Sequence, residues 1–477
     1  MIQNDQTSHS DLPRIIQGGM GAAVSNWKLA QAVSSTGQLG VISGTALDTI
    51  IVRRLQDGDL DGSARRALEH FPYPDLARYA LETYFKPGGR APNEPYKRLP
   101  LQVGLGNQQS RVMMVLGGFI EVFLAKEGHD APVGMNLLTK IQTHTLGTLY
   151  GAMLADVDYI LMGAGIPRDI PGVLDKFALG EPASLKLDVT GATETFTMTL
   201  EPSEFGTPMP LKRPKFLPII ASNLLATMLM RKSNGSIEGF IVEGPTAGGH
   251  NAPPRGQTTF DERGQPIYGE RDVVDLAALK TLGLPFWLAG GTGTPEALQH
   301  ALEHGAAGIQ VGTLFAYSRE SGLTSEIKQT ALTGVQNGSA GIFTDPLASP
   351  TGFPFKVVEI PGTLSEEHIY QARQRVCDLA YLREMYQTDQ GKLGFRCASE
   401  PHDAFLSKGG KLEDTKGRKC LCNSLMADVG MAQVQRNGDV EHALVTSGDD
   451  LLKLGRFIER YSSDYSAGQV ISYLLQS

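Results

Sequence analysis

The chain of 477 residues is long enough to bury a large core, and its net charge of −8 argues against nucleic acid or an anionic membrane as the main partner. The first ten residues are polar and lack the apolar run of a secretory signal, and no stretch of about 18 apolar residues indicates a membrane span. Four cysteines in a chain of this length do not make a disulfide framework, so a reducing cytoplasm is the expected compartment.

Short apolar runs that end in Gly, Asn or Ser alternate along the chain with segments of helical periodicity. Such runs are typical of parallel strands buried on both faces, and their alternation with helices predicts βα units. Eight runs predict a closed (β/α)8 TIM barrel rather than a doubly wound sheet, for which six strands would suffice. The predicted strands are Arg14–Gly18, Gly40–Gly44, Val133–Asn136, Tyr159–Gly163, Leu217–Ser222, Phe240–Gly244, Phe286–Gly290 and Gly308–Gly312.

Four of the intervening segments are predicted to be helices. They are Asn26–Thr36, Leu146–Ala155, Val273–Leu282 and Pro295–His304. Thr294 is the expected N-cap of the last helix, since its hydroxyl can accept from a free backbone N–H. Pro295 suits the first helical position, where its missing N–H costs no hydrogen bond.

The chain contains segments that a minimal barrel does not need. Residues 1–320 are expected to form the barrel, with insertions at about 45–101 and 167–214. Within the second insertion, the alternating pattern of Ala183–Leu200 predicts a hairpin. Connections this long commonly act as lids or binding elements. Residues 321–363 are expected to add to a substrate lobe, and 364–477 to form a mostly helical extension, either an appended domain or a cap.

The stretch Gly239–His250 combines a buried strand, a Gly-rich turn and one histidine. The turn after a parallel strand lies at the carboxyl end of the sheet, where barrels keep their ligands. Gly248 and Gly249 would let the backbone approach a flat or phosphorylated ligand, because no Cβ intervenes. His250 directly follows and is placed to transfer a proton. On this stretch alone, a solvent-exposed loop histidine remains the alternative.

The loops after the seventh and eighth strands indicate a phosphate site. In barrels these two loops often bind phosphate through backbone N–H groups. Gly290 and Gly291 would wrap the phosphate, while Gly312 and Thr313 would add an amide and a hydroxyl. Simple turn chemistry is the alternative interpretation of each loop.

The residues at the ends of the first and third predicted strands are suited to contact a flat ring. Gly19, Met20 and Gly21 follow the first strand, where the main chain could lie along a planar ligand. Asn136 closes the third strand and offers an amide for hydrogen bonds. A phosphate site, a strand-end amide and a glycine shelf together predict a mononucleotide across the barrel mouth. Flavin mononucleotide (FMN) is the expected cofactor.

As a set, these motifs resemble those of the nitronate monooxygenase family, formerly called 2-nitropropane dioxygenases. The family also contains FMN-dependent enoyl-acyl-carrier-protein reductases. The resemblance covers residues 1–320 apart from the two insertions. The motifs that carry it are Ile15–Gly21 (IIQGGMG), Gly134–Asn136 (GMN), Ala247–His250 (AGGH), Ala289–Gly291 (AGG) and Gly305–Thr313 (GAAGIQVGT).

The resemblance implies an FMN-bearing barrel in which His250 faces the substrate. The residues that it implies near the flavin are Met20, Asn136, Gly291, Gly312 and Thr313. The implied reaction is oxidation of alkyl nitronates by O2 to carbonyl compounds and nitrite. The alternative within the family is reduction of an enoyl thioester by NAD(P)H through FMN, with an acyl carrier protein as partner and a polyketide or fatty acid synthase as the system served.

The chain departs from the family pattern at Glu243, and compact family members lack its two insertions and its C-terminal part. Glu243 stands where many nitronate-oxidising relatives have Gln, and a carboxylate there would change how the site treats an anionic substrate. The insertions and the C-terminal part resemble a larger subgroup that includes reductases of polyketide or polyunsaturated fatty acid synthases. Phe315–Gly322 is instead more similar to bacterial nitronate monooxygenases.

A different class of function also remains open. The chain could be a flavin-binding accessory protein, rather than an enzyme, that docks on a synthase through its C-terminal helices.

All the cysteines, Cys377, Cys397, Cys420 and Cys422, lie in the C-terminal part. Thiolates gathered in one region could hold zinc or an iron–sulfur cluster. Their spacing lacks the usual Cys-x-x-Cys pairs, so buried, redox-inert cysteines are the expectation and no metal ligand is assigned.

Four other residues have a structural interpretation beside a functional one. His144 could reach the barrel mouth, although a helix-capping or surface role is expected. Arg255 could pair with an anionic substrate or be an ordinary loop charge. His300 and His304 lie four apart on a helix of the outer ring, where solvent exposure is expected rather than metal binding.

Overall fold

The computed structural model describes residues 12–101 and 107–476. The polar first ten residues, on which the absence of a signal sequence was argued, lie outside this part. The strands are β1 Ile15–Gln17, β2 Gly40–Ser43, β3 Val133–Leu138, β4 Tyr159–Gly163, β5 Ala183–Lys186, β6 Thr197–Leu200, β7 Lys215–Ile220, β8 Phe240–Glu243, β9 Phe286–Ala289, β10 Gly308–Val311, β11 Ile342–Asp345, β12 Phe355–Val358, β13 Glu384–Gln387 and β14 Leu393–Arg396.

Helices occupy much of the remaining described chain. They are α1 Trp27–Ser34, α2 Leu47–Gln56, α3 Ser63–Glu69, α4 Pro74–Tyr84, α5 Gln108–Lys126, α6 Gln142–Leu154, α7 Ile170–Ala178, α8 Asn223–Lys232, α9 Leu276–Lys280, α10 Pro295–Glu303, α11 Thr313–Ala316, α12 Ser325–Gln336, α13 Glu367–Ala372, α14 His402–Ser407, α15 Leu421–Asp428, α16 Gly455–Tyr461 and α17 Ala467–Leu474.

The eight predicted strands form one parallel sheet in the order β1-β10-β9-β8-β7-β4-β3-β2. A parallel bridge between Ile16 and Leu39 joins the two ends of this sheet and closes it. Each strand begins and ends within about two residues of its predicted bounds. The prediction of a TIM barrel is therefore confirmed, with helices between the strands as expected for βα units.

Apolar side chains fill the barrel interior, so the barrel is a packed core with its cavity at one end. The indole of Trp287 is buried there, and its Nε1 donates to the carbonyl of Pro13 at 2.7 Å. The interior group is Ile16, Leu39, Val41, Tyr159, Leu161, Leu217, Ile241, Trp287 and Ala289. Because these side chains fill the interior, a ligand has to bind at an end of the barrel, among its loops.

The predicted helices are present, and the sequence signals for their ends are accurate. Thr294 caps α10 by accepting from the backbone N–H of Ala297, and Pro295 is the first residue of that helix. Asn26 caps α1 in the same way, through the N–H of Leu29.

The two insertions fold against the barrel. The first contains α2, α3 and α4, and its Phe71 packs edge-on against Phe119 of α5, with ring centroids 5.0 Å apart. The second contains the predicted hairpin, in which β5 pairs antiparallel with β6. The hairpin prediction is therefore confirmed.

The regular elements of the C-terminal region are mainly helices, as predicted, but these helices are short and are separated by irregular segments. The region also contains an unpredicted antiparallel hairpin, β13–β14. It lies against the barrel. Tyr465 donates its hydroxyl hydrogen to the carbonyl of Leu314 at 2.7 Å, and the N–H of Val358 donates to the carbonyl of Val445 at 2.8 Å. Across the described ranges, no helix is both long and apolar enough to cross a membrane.

Candidate active site

A cavity of about 210 Å³ opens at the carboxyl ends of the barrel strands. This is the end at which TIM barrels carry their active sites. Every residue predicted for the site lies on its wall. These residues are Gly19, Met20, Gly21, Asn136, Gly248, Gly249, His250, Gly290, Gly291, Gly312 and Thr313.

His250 is held in the wall of the cavity and is not an exposed loop histidine. Its Nε2 lies 2.7 Å from the hydroxyl of Ser349, which in turn lies 2.8 Å from the hydroxyl of Thr351. Its ring packs edge-on against Phe355, with centroids 4.9 Å apart. Burial, together with the charge of Lys140, lowers the pKa of His250 to about 4. The imidazole is therefore neutral near pH 7 and can donate a hydrogen bond or accept a proton.

Glu243 is the last residue of β8 and points into the same cavity. Burial raises the pKa of its carboxyl group to about 7, because the charged form loses its hydration. A carboxyl group of this kind exchanges its proton near neutral pH. Glu243 and His250 thus supply two groups able to hold a proton at one site.

Two buried amides present unsatisfied acceptors to the cavity. Asn136 Oδ1 and Gln310 Oε1 have no hydrogen-bond partner in the described part of the chain, and both residues line the cavity. Buried polar atoms are usually paired, so each unpaired oxygen indicates that a bound ligand would supply a hydrogen-bond donor. The amide group of Asn136 is held by its Nδ2, which donates to the carbonyl of Gly19 at 3.4 Å.

Gln310 was not among the predicted site residues. Its signal was present in the sequence, as a polar side chain inside the buried barrel strand Gly308–Val311. Its neighbours Ile309 and Val311 are fully apolar and buried, so a glutamine between them indicates a ligand or a polar contact.

The glycines of the wall are required by close approach or by backbone conformation. A Cβ at Gly19 would lie 2.4 Å from the Cβ of Asn136, so no larger residue fits there. Gly290 and Gly291 have φ of +90° and +71°, which residues with a Cβ rarely adopt. The main chain is thereby exposed to the cavity in these loops.

A C-terminal segment, Thr446–Asp450, closes the part of the cavity where a phosphate was predicted. The N–H of Gly249 donates to the hydroxyl of Thr446 at 2.8 Å. The N–H of Gly448 donates to the hydroxyl of Thr313 at 3.1 Å. The carboxylate of Asp450 accepts from the N–H of Gly293 at 2.9 Å. Sequence reasoning missed this segment, since no local pattern connects it with loops more than 130 residues away.

Acidic groups gather at this end of the cavity. Burial raises the pKa of Asp428 to about 8 and also raises the pKa of Asp450. With Glu243 they are the ionisable acids of the wall, and in the described part of the chain no Lys or Arg lines the cavity. An anionic ligand here would therefore be held by backbone N–H groups and hydroxyls rather than by a cation.

His144 does not reach the cavity, and the expected capping or surface role is wrong. Its side chain is buried, with Nε2 3.5 Å from Asp48 Oδ2 and its ring against Tyr381. Burial lowers the pKa of His144, because Asp48 compensates for only part of the lost hydration. The hydroxyl of Tyr381 donates to Asp48 at 2.6 Å, and Tyr381 itself lines the cavity. His144 thus supports a wall residue from behind.

Arg255 and the paired histidines lie elsewhere. The guanidinium of Arg255 donates to the carbonyl of Ala221, and the residue lines a separate small pocket. It is therefore a loop charge at this site. His300 and His304 are exposed on α10, with ring centroids 4.1 Å apart, as expected for the outer ring of helices.

The closed parallel barrel and the cavity at its carboxyl end define a TIM-barrel enzyme. Residues 203–340 match the family model described as nitronate monooxygenase. This match confirms, over that part of the chain, the resemblance predicted from the motifs. A search of curated protein sequences gives no match.

Three solved structures are similar to the chain. FabK from Thermotoga maritima is 17% identical, with coverage of 97% of this chain and 91% of that chain and a TM-score of 0.46. A nitroalkane oxidase from Streptomyces ansochromogenes is 15% identical, with coverage of 98% and 96% and a TM-score of 0.49. The enoyl reductase domain of MlnA, from the macrolactin biosynthesis cluster of Bacillus amyloliquefaciens, is 12% identical, with coverage of 98% and 98% and a TM-score of 0.44. Because each score lies below 0.5, the fold assignment rests on the strand order.

Proposed function

We propose that the chain is an FMN-dependent oxidoreductase whose reaction takes place in the cavity at the carboxyl ends of the barrel strands. The observation that carries this proposal is the pair of orphan acceptors, Asn136 Oδ1 and Gln310 Oε1, which face the cavity between glycine loops. A flat ring with N–H donors and a hydroxylated chain would satisfy both acceptors. The match to the nitronate monooxygenase family over 203–340 supports a flavin in particular.

The residues of the cavity fit FMN at both ends. Asn136 and Gln310 would hold its polar ring edge and ribityl chain, and the glycines of residues 18–21 leave the main chain free to lie along the ring. Gly290, Gly291 and Gly312 would present backbone N–H groups to the phosphate. Burial favours the neutral forms of the neighbouring acids, which reduces their repulsion of a phosphate. When bound, FMN would supply the electron or hydride transfer that side chains cannot perform.

His250 would act on the substrate as a neutral imidazole. With its pKa lowered to about 4, it stays neutral and can donate a hydrogen bond to a nitro oxygen. The hydroxyl of Ser349 engages Nε2 and so selects the tautomer and the orientation of the ring. A cationic role for His250 is disfavoured by the same burial.

The first candidate substrate is an alkyl nitronate, oxidised with O2 to a carbonyl compound and nitrite. The family match supports it, because the matched region 203–340 includes His250. The neutral His250 could also donate a hydrogen bond to a nitronate oxygen. The ionised form of Glu243 would repel the nitronate, so turnover of this substrate should be greatest where Glu243 is protonated, below a pH of about 7.

The second candidate is reduction of a neutral enoyl thioester by NAD(P)H, with an acyl carrier protein as the donor of the substrate. The charge of the cavity favours it. In the described part of the chain the wall carries three carboxyl groups and no Lys or Arg, which suits an uncharged substrate better than an anion. Glu243, with its pKa near 7, would then donate the proton that accompanies hydride addition.

A single substitution separates the two reactions. Glu243→Gln removes the negative charge and the acidic proton while keeping the size of the side chain. For an alkyl nitronate, kcat/KM at pH 8 should rise about tenfold, since repulsion by a buried carboxylate is worth about 1–2 kcal/mol. For an enoyl thioester, kcat should fall by about 100-fold, which is the typical contribution of a general acid.

The control for this test is Glu262→Gln, which removes a carboxylate from an exposed loop. It should leave both activities unchanged. A flavin-loaded parent protein that turns over neither substrate would contradict the proposed function.

A further inference from the structure

Part of the cavity wall is apolar, and most of this part comes from the C-terminal region. What we call the apolar arm consists of Ala46, Ile141, Tyr381, Leu382, Leu421 and Leu425. All six residues line the cavity. Five of them belong to one hydrophobic cluster, and Leu425 packs against that cluster. The apolar arm is therefore a continuous surface that joins two barrel loops to the C-terminal region.

Helix α15 turns one side toward the cavity. Leu421, Leu425 and Asp428 line the cavity at spacings of four and three residues, which place side chains on one side of an α-helix. Leu421 is fully buried, whereas Leu425 is only partly buried, so part of its side chain is free to contact a ligand. Burial raises the pKa of Asp428 to about 8. This side of α15 therefore carries no negative charge at neutral pH.

Tyr381 contributes its ring to the apolar arm and turns its hydroxyl away from the cavity. The hydroxyl donates to Asp48 at 2.6 Å and lies 2.5 Å from the hydroxyl of Thr49. Both partners are on α2, and neither lines the cavity. The ring of His144 packs against the tyrosine ring, with centroids 4.6 Å apart. The tyrosine is thus held from behind, and its ring forms a fixed apolar wall.

The apolar arm begins beside His250. The N–H of Lys419 donates to the carbonyl of Ala348 at 2.8 Å. Ala348 directly precedes Ser349, whose hydroxyl lies 2.7 Å from Nε2 of His250. Leu421 follows Lys419 by only two positions. The start of α15 is therefore held next to the histidine that would face the substrate.

Phe355 provides a second connection between His250 and the apolar arm. Its ring packs edge-on against the imidazole, with centroids 4.9 Å apart, and it lines the cavity. It belongs to the same hydrophobic cluster as Tyr381, Leu382 and Leu421. A ligand in contact with His250 would therefore extend directly onto apolar side chains.

We propose that the apolar arm binds the hydrocarbon chain of the substrate and that Leu425 limits the length of the chain. The proposal rests on the proposed function, since it concerns the substrate of the same site. Both candidate substrates consist of a reacting group and a hydrocarbon chain. With the reacting group at His250, the chain would lie along the apolar arm. Burial of each additional CH2 group should then strengthen binding about fourfold.

The first test is the dependence of kcat/KM on chain length. It is measured for n-alkyl nitronates from nitroethane to 1-nitrooctane and for enoyl thioesters from crotonyl to dodecenoyl. In the parent protein, kcat/KM should rise about fourfold for each CH2 group until the apolar arm is full. Leu425→Ala should move the preferred chain to a longer homologue, and Leu425→Phe should move it to a shorter one. Loss of stability alone would lower the activity toward all homologues together and would leave the preferred length unchanged.

The matched controls are Leu406→Ala and Leu406→Phe. Leu406 lies on α14, is 42% exposed and does not line the cavity. Both variants should keep the preferred chain length of the parent protein. The Kd for FMN is measured in all the variants, and it should not change with Leu425. A changed Kd together with an unchanged chain preference would place the flavin against α15 and overturn the proposal.

A binding measurement tests the proposal without turnover. The parent protein and the Leu425 variants are titrated calorimetrically with saturated n-alkyl amides of increasing length, whose uncharged head group suits a neutral His250. The length at which affinity stops rising should be shorter in Leu425→Phe and longer in Leu425→Ala. The same limiting length in all three proteins would overturn the proposal. Shifts in this length, in a parent protein that turns over neither substrate, would support the apolar arm and contradict only the proposed function.

Discussion

The imidazole Nε2 of His250 and the hydroxyl of Ser349 lie 2.7 Å apart. His250 comes from the loop after a barrel strand, whereas Ser349 comes from the segment between β11 and β12, outside the barrel. Ser349 is fully buried, and Thr351 supports its hydroxyl. His250 is thus oriented by a residue of the segment 321–363, which is predicted to add to a substrate lobe.

Ser349→Ala should lower turnover without removing the flavin. Loss of this hydrogen bond leaves the imidazole free to rotate and change its tautomer, and a bond of about 1 kcal/mol corresponds to about a fivefold fall in kcat. Steady-state kinetics and the flavin-to-protein ratio provide the measurement. Ser339→Ala, at an exposed position just before β11, is the control. An unchanged kcat in Ser349→Ala would show that the histidine needs no such partner.

Asn136→Leu and Gln310→Leu should weaken flavin binding without weakening the fold. Each removes a buried acceptor that lacks a partner, which in Asn136→Leu offsets the loss of the 3.4 Å hydrogen bond to Gly19. The apoproteins should therefore be about as stable as the parent. The Kd for FMN should rise about tenfold for each variant, since one hydrogen bond is lost. Gln299→Leu, on the exposed face of α10, serves as the control in the same fluorescence titration. Equal affinities in all the variants would place the flavin elsewhere.

Gly248→Ala should displace the C-terminal segment from the barrel mouth. A Cβ at Gly248 would lie 2.8 Å from the backbone nitrogen of Gly448, which cannot shift without moving the segment Thr446–Asp450. Overpacking of this kind costs about 1–3 kcal/mol, so thermal unfolding should occur at a lower temperature and FMN should bind more weakly. In Gly244→Ala, the nearest atom would lie 3.7 Å from the new Cβ, and no change is expected. Equal behaviour of the two variants would refute the role assigned to the segment.

Asp428 should make the protein less stable as the pH rises. Burial raises its pKa from 3.8 to about 8, so the folded state retains a proton that the unfolded state releases. The stabilising contribution of the protonated form is present below pH 4 and is lost as the pH rises toward 8. Asp428→Asn keeps the acceptor for the N–H of Leu444 and does not titrate.

The free energy of unfolding of Asp428→Asn, relative to the parent, should therefore increase between pH 4 and pH 8. The total change is on the order of a few kcal/mol, since one pKa unit corresponds to about 1.4 kcal/mol. Urea unfolding of both proteins across this pH range measures the difference. Parallel curves would mean that Asp428 titrates normally in the folded protein.

The sequence was sufficient for the barrel because its signals are local. The apolar residues of a strand such as Phe240–Glu243, with the glycine that follows it, are enough to predict that strand. The hydroxyl of Thr294 predicts the start of α10 in the same local way. The predicted site residues come together because the carboxyl ends of parallel strands meet at one rim. Their roles toward the flavin and the substrate stay predictions.

The C-terminal contribution to the cavity could not be predicted in this way. Asp450 reaches Gly293 across 157 residues, and Tyr381 reaches Asp48 across 333 residues. Neither pair has a sequence pattern, because the contact depends on how the C-terminal region packs and not on any local periodicity. The burial that changes the pKa of Glu243 and His250 arises in the same way, from the closed cavity.

The most direct test of the proposed function is the visible absorption spectrum of the purified protein. The spectrum is recorded without oxygen, before and after addition of an alkyl nitronate, for the parent protein and for His250→Ala. We expect flavin bands in both proteins, release of FMN on denaturation, and loss of the bands on addition of nitronate in the parent alone. If the flavin bands of the parent protein do not change on addition of the nitronate, enoyl thioester reduction becomes the favoured reaction. A colourless protein that cannot take up FMN would contradict the account.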